Sequence, residues 1–253
     1  MILQRLATSI RKQDWFTVFI ETLIVVLGVF LGIQLGNWNE ARADRARETA
    51  LLIELKEEVE TSIRVTNQKA DAIGQVVAAG KRSLDFMASG TSCGTECWPV
   101  IVDFFHASQW QPIDVDRSTY AEMRRQGLPQ SREIIDAVEA YLATNDNLSV
   151  TNFVPAYRSR VRQLIPLDAQ AFYWEHCYNL KDGAETYILD CPKGVTDEAA
   201  RRTAEKIAAN PDIEPLLTEW AGLMVSTPAD LHKQNETAER ALAVIDKELE
   251  RRR

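Results

Sequence analysis

The sequence is short of nearly everything that marks an enzyme. Its three histidines, His106, His176 and His232, lie far apart, and none falls in a zinc-protease or triad spacing. No serine sits in a nucleophile elbow and no glycine-rich phosphate loop occurs, so acyl-enzyme and nucleotide chemistry have no motif. Each histidine therefore reads as a surface or core-edge residue. Positive charge is in deficit: 29 Lys and Arg against 37 Asp and Glu leave a net charge of −8, which argues against nucleic acid as a partner. Tracts rich in Gly, Ser or Pro are missing, as is any internal repeat, so no flexible linker is expected. Asp114, Asp116 and Glu122 form the only acidic cluster beside an irregular loop, and carboxylates on helices read first as solvated faces.

One stretch is short of charge for a different reason. Between Phe16 and Leu35 the only charged residue is Glu21, and there is no proline. Apolar residues surround the helix there instead of keeping to one face. A run of about 20 such residues matches the roughly 30 Å thickness of bilayer hydrocarbon, and a single span in lipid must be helical to satisfy its backbone. The sequence thus predicts a transmembrane signal anchor over 15–38. Trp15 at one end and Gln34, Asn37, Trp38 and Asn39 at the other supply a polar and aromatic interface belt. The span is longer than the apolar core of a cleaved signal peptide.

Its orientation does not follow from flanking charge. Arg5, Arg11 and Lys12 precede the span, and Arg42, Arg45 and Arg47 follow it; the positive-inside rule is tied. Cysteine breaks the tie. Cys93, Cys97, Cys177 and Cys191 all follow the span, and an even count on one side implies disulfides and an oxidising compartment. The expectation is a cytoplasmic tail over 1–14 and a helical domain over 39–253 in the periplasm, held in a bacterial inner membrane. Within the span Gly28, Gly32 and Gly36 recur every fourth residue, with Glu21 within about 20° of the same stripe. Such a stripe permits close helix approach, so the expected partners are the bilayer and either a second copy or another membrane protein. Glu21 would then be buried in that contact.

The remainder predicts an all-α fold. From Glu40 to about Met87 no helix breaker occurs, and Leu52, Leu55, Val59, Ile63, Thr66, Ala70, Ile73, Val77 and Leu84 mark one apolar face. The transmembrane helix thus continues into a long helix of an antiparallel bundle. Ser89 to Pro99 turns, with Cys93 and Cys97 spaced for a small disulfide loop; a metal would need further ligands from His106 or the His176–Cys177 pair. A short apolar helix or turn covers Val100–Gln109, and a helix starts at Ser118-Thr119 and stops at Gly127. Ser131 caps a helix with Ile134, Ile135, Val138 and Leu142 inward. A longer helix over Leu148–Cys177, with Phe153, Tyr157, Val161, Leu164 and Ile165 inward, is bent or split by Pro155 and Pro166. Asn179–Gly194 is irregular, with a turn at Asp182-Gly183, a short strand at Tyr187–Leu189 and a second disulfide, Cys177–Cys191, around it. Phe172, Tyr173, Trp174 and Tyr178 line a pocket or fill the core beneath that loop. Thr196 opens a further helix, and Pro211 starts the last, through Leu216, Leu217, Trp220, Leu223, Met224, Leu231, Ala238, Leu242, Ile245 and Leu249, with a kink or joint at Pro228. That final helix is expected to pack antiparallel to the long first one.

The run FIETLIVVLGVFLGIQLGNWNEAR resembles the start of a family of uncharacterised bacterial single-pass membrane proteins. In that family a Glu precedes an apolar span ending in Gln-x-x-Asn-Trp-Asn-Glu, which here is Gln34, Asn37, Trp38, Asn39 and Glu40. The stretch STYAEMRRQGLP is similar to the same family's middle motif. The family is a domain of unknown function, so the resemblance implies anchoring and a helical domain and assigns no activity or cofactor. Its pattern has no place for the four cysteines. Function is therefore expected to be non-enzymatic: a structural, scaffolding or protein-interaction component, with a sensory or small-ligand-binding module as the alternative.

Overall fold

The computed structural model describes residues 15–90, 93–94, 96–148, 154–181 and 183–253. The expected tail over 1–14, Phe153 and Asp182 lie outside these. Helix dominates: eight helices and one two-stranded hairpin occur among the described residues. The chain divides into two units, Met1–Leu51 and Leu52–Arg253. Helix α1 (Trp15–Ser89) supplies residues to both.

In the first unit α1 is a bare apolar helix. Its most apolar 18-residue window has a mean hydropathy of 2.4 and none of it is buried. Phe19, Ile24, Val29, Phe30 and Ile33 all expose more than half of their surface. A water-soluble unit buries such side chains; this one helix is long and apolar enough to cross a membrane. Thr22 Oγ1 donates to the Val18 carbonyl at 2.8 Å, so the one hydroxyl described there is satisfied within the helix. The Arg42 guanidinium lies 6.0 Å from the Trp38 ring.

The second unit is built around the rest of α1 and helix α8 (Ile213–Arg251). Three contacts fix their sense. Lys56 Nζ pairs with Asp246 at 2.6 Å, and Asn235 donates to Asn67 Oδ1 at 2.8 Å. A side chain at Gly80 would touch Ala221 Cβ at 3.4 Å. The contacts ascend α1 as they descend α8, so the pair is antiparallel, as the sequence predicts. A Cβ at Gly80 would rest in ordinary van der Waals contact with the Ala221 and Leu217 side chains.

Helix α4 (Arg132–Asp146) lies along α8 in the opposite sense, through Lys247–Glu133 and Asn145–Gln234. Its start follows local chemistry: Ser131 caps it by accepting from the Ile134 N–H. Helix α2 (Cys97–Ala107) is apolar on most of its surface and sits centrally, against α5 (Ala156–Arg162) and α7 (Asp197–Ala208). Thr196 caps α7, and Asp197 and Glu198 in its first turn suit the positive end of the helix dipole. Helix α3 (Ser118–Arg125) ends at Gly127, whose φ of +75° is glycine territory.

Several sequence expectations need correction. Of the outcomes expected for the Leu148–Cys177 helix, bent or split, it is split, into α5 and α6 (Leu167–His176), and Leu148 itself lies outside both. Pro155 and Pro166 each occupy an N-cap position, because proline lacks the N–H that a helix interior requires. The last helix begins at Ile213, not Pro211: Asn210 Oδ1 accepts the Asp212 N–H at 3.1 Å and holds Pro211 in a turn. Helix α8 runs on through Pro228. The irregular stretch contains a hairpin, β1 (Tyr178–Lys181) with β2 (Ala184–Tyr187), paired Tyr178 to Tyr187 and Lys181 to Ala184. Gly183 at φ +80° closes its two-residue turn, and Ile188 and Leu189 fall beyond the strand. Leu223 is exposed, while Ile63, Val77 and Leu84 are half-buried. Ala72, Val76 and Ala79 take the buried face of α1 beside Ile73.

Candidate functional site

The structure pairs Cys93 with Cys97 and Cys177 with Cys191, at Cα separations of 4.9 and 5.1 Å. This is the local connectivity chosen from spacing. The second bridge closes the segment that carries the hairpin and ties it to the end of α6. With both pairs bridged, no cysteine is left as a metal ligand, and no group of three or more His, Cys, Asp or Glu converges among the described residues. Asp114, Asp116 and Glu122 do not form a site. Asp116 accepts the Ser118 N–H at 2.9 Å, and Glu122 is held by Arg125 and Gln126. Gly28, Gly32 and Gly36 have nothing within 4 Å of where a side chain would stand. The belt residues Trp15, Gln34, Asn37, Trp38 and Asn39 are exposed.

The densest chemistry lies at the C-terminal end of α2. A helix end leaves its last carbonyls without intrahelical donors, and here that end is buried: Phe104, Phe105, His106 and Ala107 are each at most 1% exposed. Donors come from other helices. Tyr157 Oη on α5 donates to the Phe104 carbonyl at 2.9 Å, and Trp220 Nε1 on α8 donates to that of Ala107 at 2.8 Å. Arg158 Nη1 donates to the Ser108 carbonyl at 3.0 Å. Cations are also favoured at this end of a helix dipole.

Two arginines meet over that helix end. Arg158 Nη1 and Arg162 Nη2 both donate to Gln109 Oε1, at 3.2 and 3.0 Å. Arg162 Nε also donates to Ser108 Oγ at 3.0 Å. Gln109 in turn donates from Nε2 to Tyr173 Oη at 3.1 Å. The Arg162 guanidinium lies 4.5 Å from the Phe105 ring centre and 5.2 Å from that of Trp174, two rings that meet edge to face, so it sits in an aromatic corner that favours a cation. Burial pulls Arg162 down to about 10, and the neighbouring Arg158 adds to the pull. Burial lowers Arg158 as well.

A third cation and one carboxylate complete the group. Lys69 on α1 is 7% exposed, donates to the Pro112 carbonyl at 2.6 Å, and has its pKa lowered by burial. Glu185 on β2 is near enough to act electrostatically on Lys69, Arg158 and Arg162, but it forms an ion pair with none of them among the described residues. Its carboxylate accepts from Tyr187 Oη at 3.1 Å. Gln111 holds the Glu185 N–H at 3.1 Å, and Gln75 holds that of Tyr187 at 3.2 Å, so the hairpin is seated on α1 and on the loop after α2.

His106 is a correction to the sequence reading, being fully buried and not at a surface or edge. Its ring sits 5.2 Å from Tyr173 and 5.5 Å from Tyr187. The Cys177 carbonyl faces it without reaching hydrogen-bond geometry. Burial pulls its pKa down to about 4, which keeps it neutral at ordinary pH. His232 is exposed as expected.

Phe172, Tyr173 and Trp174 of α6 are core and core-edge residues, and Tyr178, the first residue of β1, packs against the same core. Beside them a small apolar cleft is lined by Ile73, Val76, Ile113, Tyr187 and Met224, with Gln109 and Gln111 at its wall. Sequence reasoning passed over Arg158, Arg162, Gln109 and Lys69. A signal was present: Arg158 and Arg162 stand four apart in YRSRVRQ, interleaved with the apolar Tyr157 and Val161. Like charges at that spacing weaken an isolated helix. No protein-family model matches the chain, and no curated protein or solved structure matches it either.

Proposed function

We propose that this protein is a membrane-anchored interaction component. Its N-terminal span lies in a bacterial inner membrane with the 1–14 tail in the cytoplasm, and its helical, disulfide-braced domain stands in the periplasm. The observation that carries the reading is the wholly exposed apolar window of α1. Covering a single such side chain is worth about 1.5–3 kcal/mol, so an uncovered run of this length is accounted for by lipid. The two disulfides support the oxidising side. The stripe of Gly28, Gly32 and Gly36, with no neighbour over it, supports a helix–helix contact in the membrane with Glu21 alongside.

The test is affinity capture of the full chain from detergent-solubilised membranes after cross-linking. The reading expects a recovered partner or second copy that is lost in Gly32→Leu, since the leucine holds the helices apart. An identical cross-linked pattern in the two proteins overturns the stripe's role. The alternative, a small-ligand module, is favoured by the arginine pair and the disulfide-bound hairpin seated beside it.

A further inference from the structure

We propose that Arg158 and Arg162 form a binding site for a small oxyanion, a carboxylate or phosphate group, at the C-terminal end of α2. The inference deepens the small-ligand alternative and rests on the second unit alone, so it stands or falls separately from the glycine stripe.

Charge is the first ground. The whole chain carries −8, yet this corner gathers Lys69, Arg158 and Arg162 around one carboxylate, Glu185, with Asp114 acting on Lys69. Charges withdrawn from water are costly unless paired, and the two guanidiniums have no carboxylate within ion-pair distance among the described residues. The half-charge of the α2 dipole and the Ser108 and Gln109 oxygens offset part of the surplus.

Donor geometry is the second ground. Gln109 Oε1 holds one nitrogen of each guanidinium, so the two forks are set side by side with their shared edge occupied. Arg158 keeps Nε and Nη2, and Arg162 keeps Nη1, without an acceptor among the described residues. Both side chains are only half-buried, so these donors are within reach of solute. Guanidinium forks match the two oxygens of a carboxylate or phosphate.

Rigidity is the third. Phe105 and Trp174 both pack against the Arg162 guanidinium, and Gln109 is itself fixed by Tyr173. Little side-chain entropy remains to be lost when an anion arrives.

The experiment measures binding of inorganic phosphate, and separately of acetate, to the detergent-solubilised full chain, by calorimetry and thermal shift against chloride at equal ionic strength. Saturable binding of either anion is expected, and which anion binds names the group. Arg162→Gln should weaken it by roughly tenfold or more, with Arg162→Lys recovering only part because a point charge lacks the fork. Glu185→Gln should tighten it by about threefold or more, since the carboxylate repels the anion. A purely structural role as helix cap would not produce that tightening, and the Glu185 variant carries the test should the arginine variants fail to fold. No saturable response to either anion, or affinities unchanged in Glu185→Gln, overturns the proposal.

Discussion

Removing a single oxygen from Tyr157 tests whether the end of α2 depends on donors from outside its own helix. Tyr157 is 1% exposed, and its hydroxyl donates to the Phe104 carbonyl at 2.9 Å; burial raises its pKa well above the ordinary value. Tyr157→Phe keeps the ring and its packing and leaves a buried carbonyl without its side-chain donor. An orphaned buried acceptor costs about 1–3 kcal/mol. In a domain of this size each kcal/mol lowers Tm by about 2–4 °C, so a drop of roughly 2–12 °C is expected. The assay is urea and thermal unfolding of the solubilised chain followed by circular dichroism. Tyr120→Phe is the control: that hydroxyl meets Glu139 at 3.1 Å, and Glu139 is exposed, so the carboxylate left behind is solvated and the loss should cost under about 1 kcal/mol. Equal stability of Tyr157→Phe and the parent, with an unchanged denaturant slope, refutes the reasoning.

Two further perturbations probe the same half of the molecule. A side chain at Gly194 would collide with the Phe172 ring and stand 2.8 Å from Trp98 Cζ2. Trp98 cannot yield freely, because its Nε1 donates to Pro192 O at 2.7 Å, so Gly194→Ala should cost about 1–3 kcal/mol by overpacking, and unaltered unfolding would contradict this. His106 is neutral when folded, with its pKa pulled from 6.5 to about 4 by burial, while Asp103 opposes the pull and Arg82 adds to it. Between those values the unfolded chain binds a proton that the folded chain refuses. The contribution is therefore whole above pH 6.5 and declines as pH falls to 4, by about 3 kcal/mol in all. Urea titrations of the parent and His106→Gln should show the gap between them narrowing over that window; a gap independent of pH would count against the buried neutral ring.

Much of the architecture was legible because it rests on local chemistry. The apolar run carries a single charge, Glu21, the α1 stripe repeats at helical spacing, and Ser131 and Thr196 announce the helices that they cap. Cys177 and Cys191 pair across the segment that they flank. What was not legible depends on contacts distant in sequence. Pro211 looks like the first residue of α8, but Asn210 captures the Asp212 N–H and moves the start. Strand β1 reads as irregular because YNLK has no alternation of its own; it becomes a strand only opposite β2. The arginine pair was hidden for the same reason. Arg158 and Arg162 look like a solvated face until Gln109, from a loop some fifty residues earlier, is placed between them. The burial of His106 is not legible because it comes from Tyr173 and Tyr187, neither of which is near it in sequence.

The central claim is that an apolar anchor holds a disulfide-bonded domain on the far side of a bacterial inner membrane. Its most direct test is non-reducing peptide mapping of the full chain, taken from alkaline-washed membranes of cells whose free thiols were blocked before lysis. The account predicts that the chain stays in the membrane pellet, with peptides joined as Cys93–Cys97 and Cys177–Cys191 and no blocked cysteine. Full-length chain in the soluble fraction, or four blocked thiols in the membrane fraction, would contradict it.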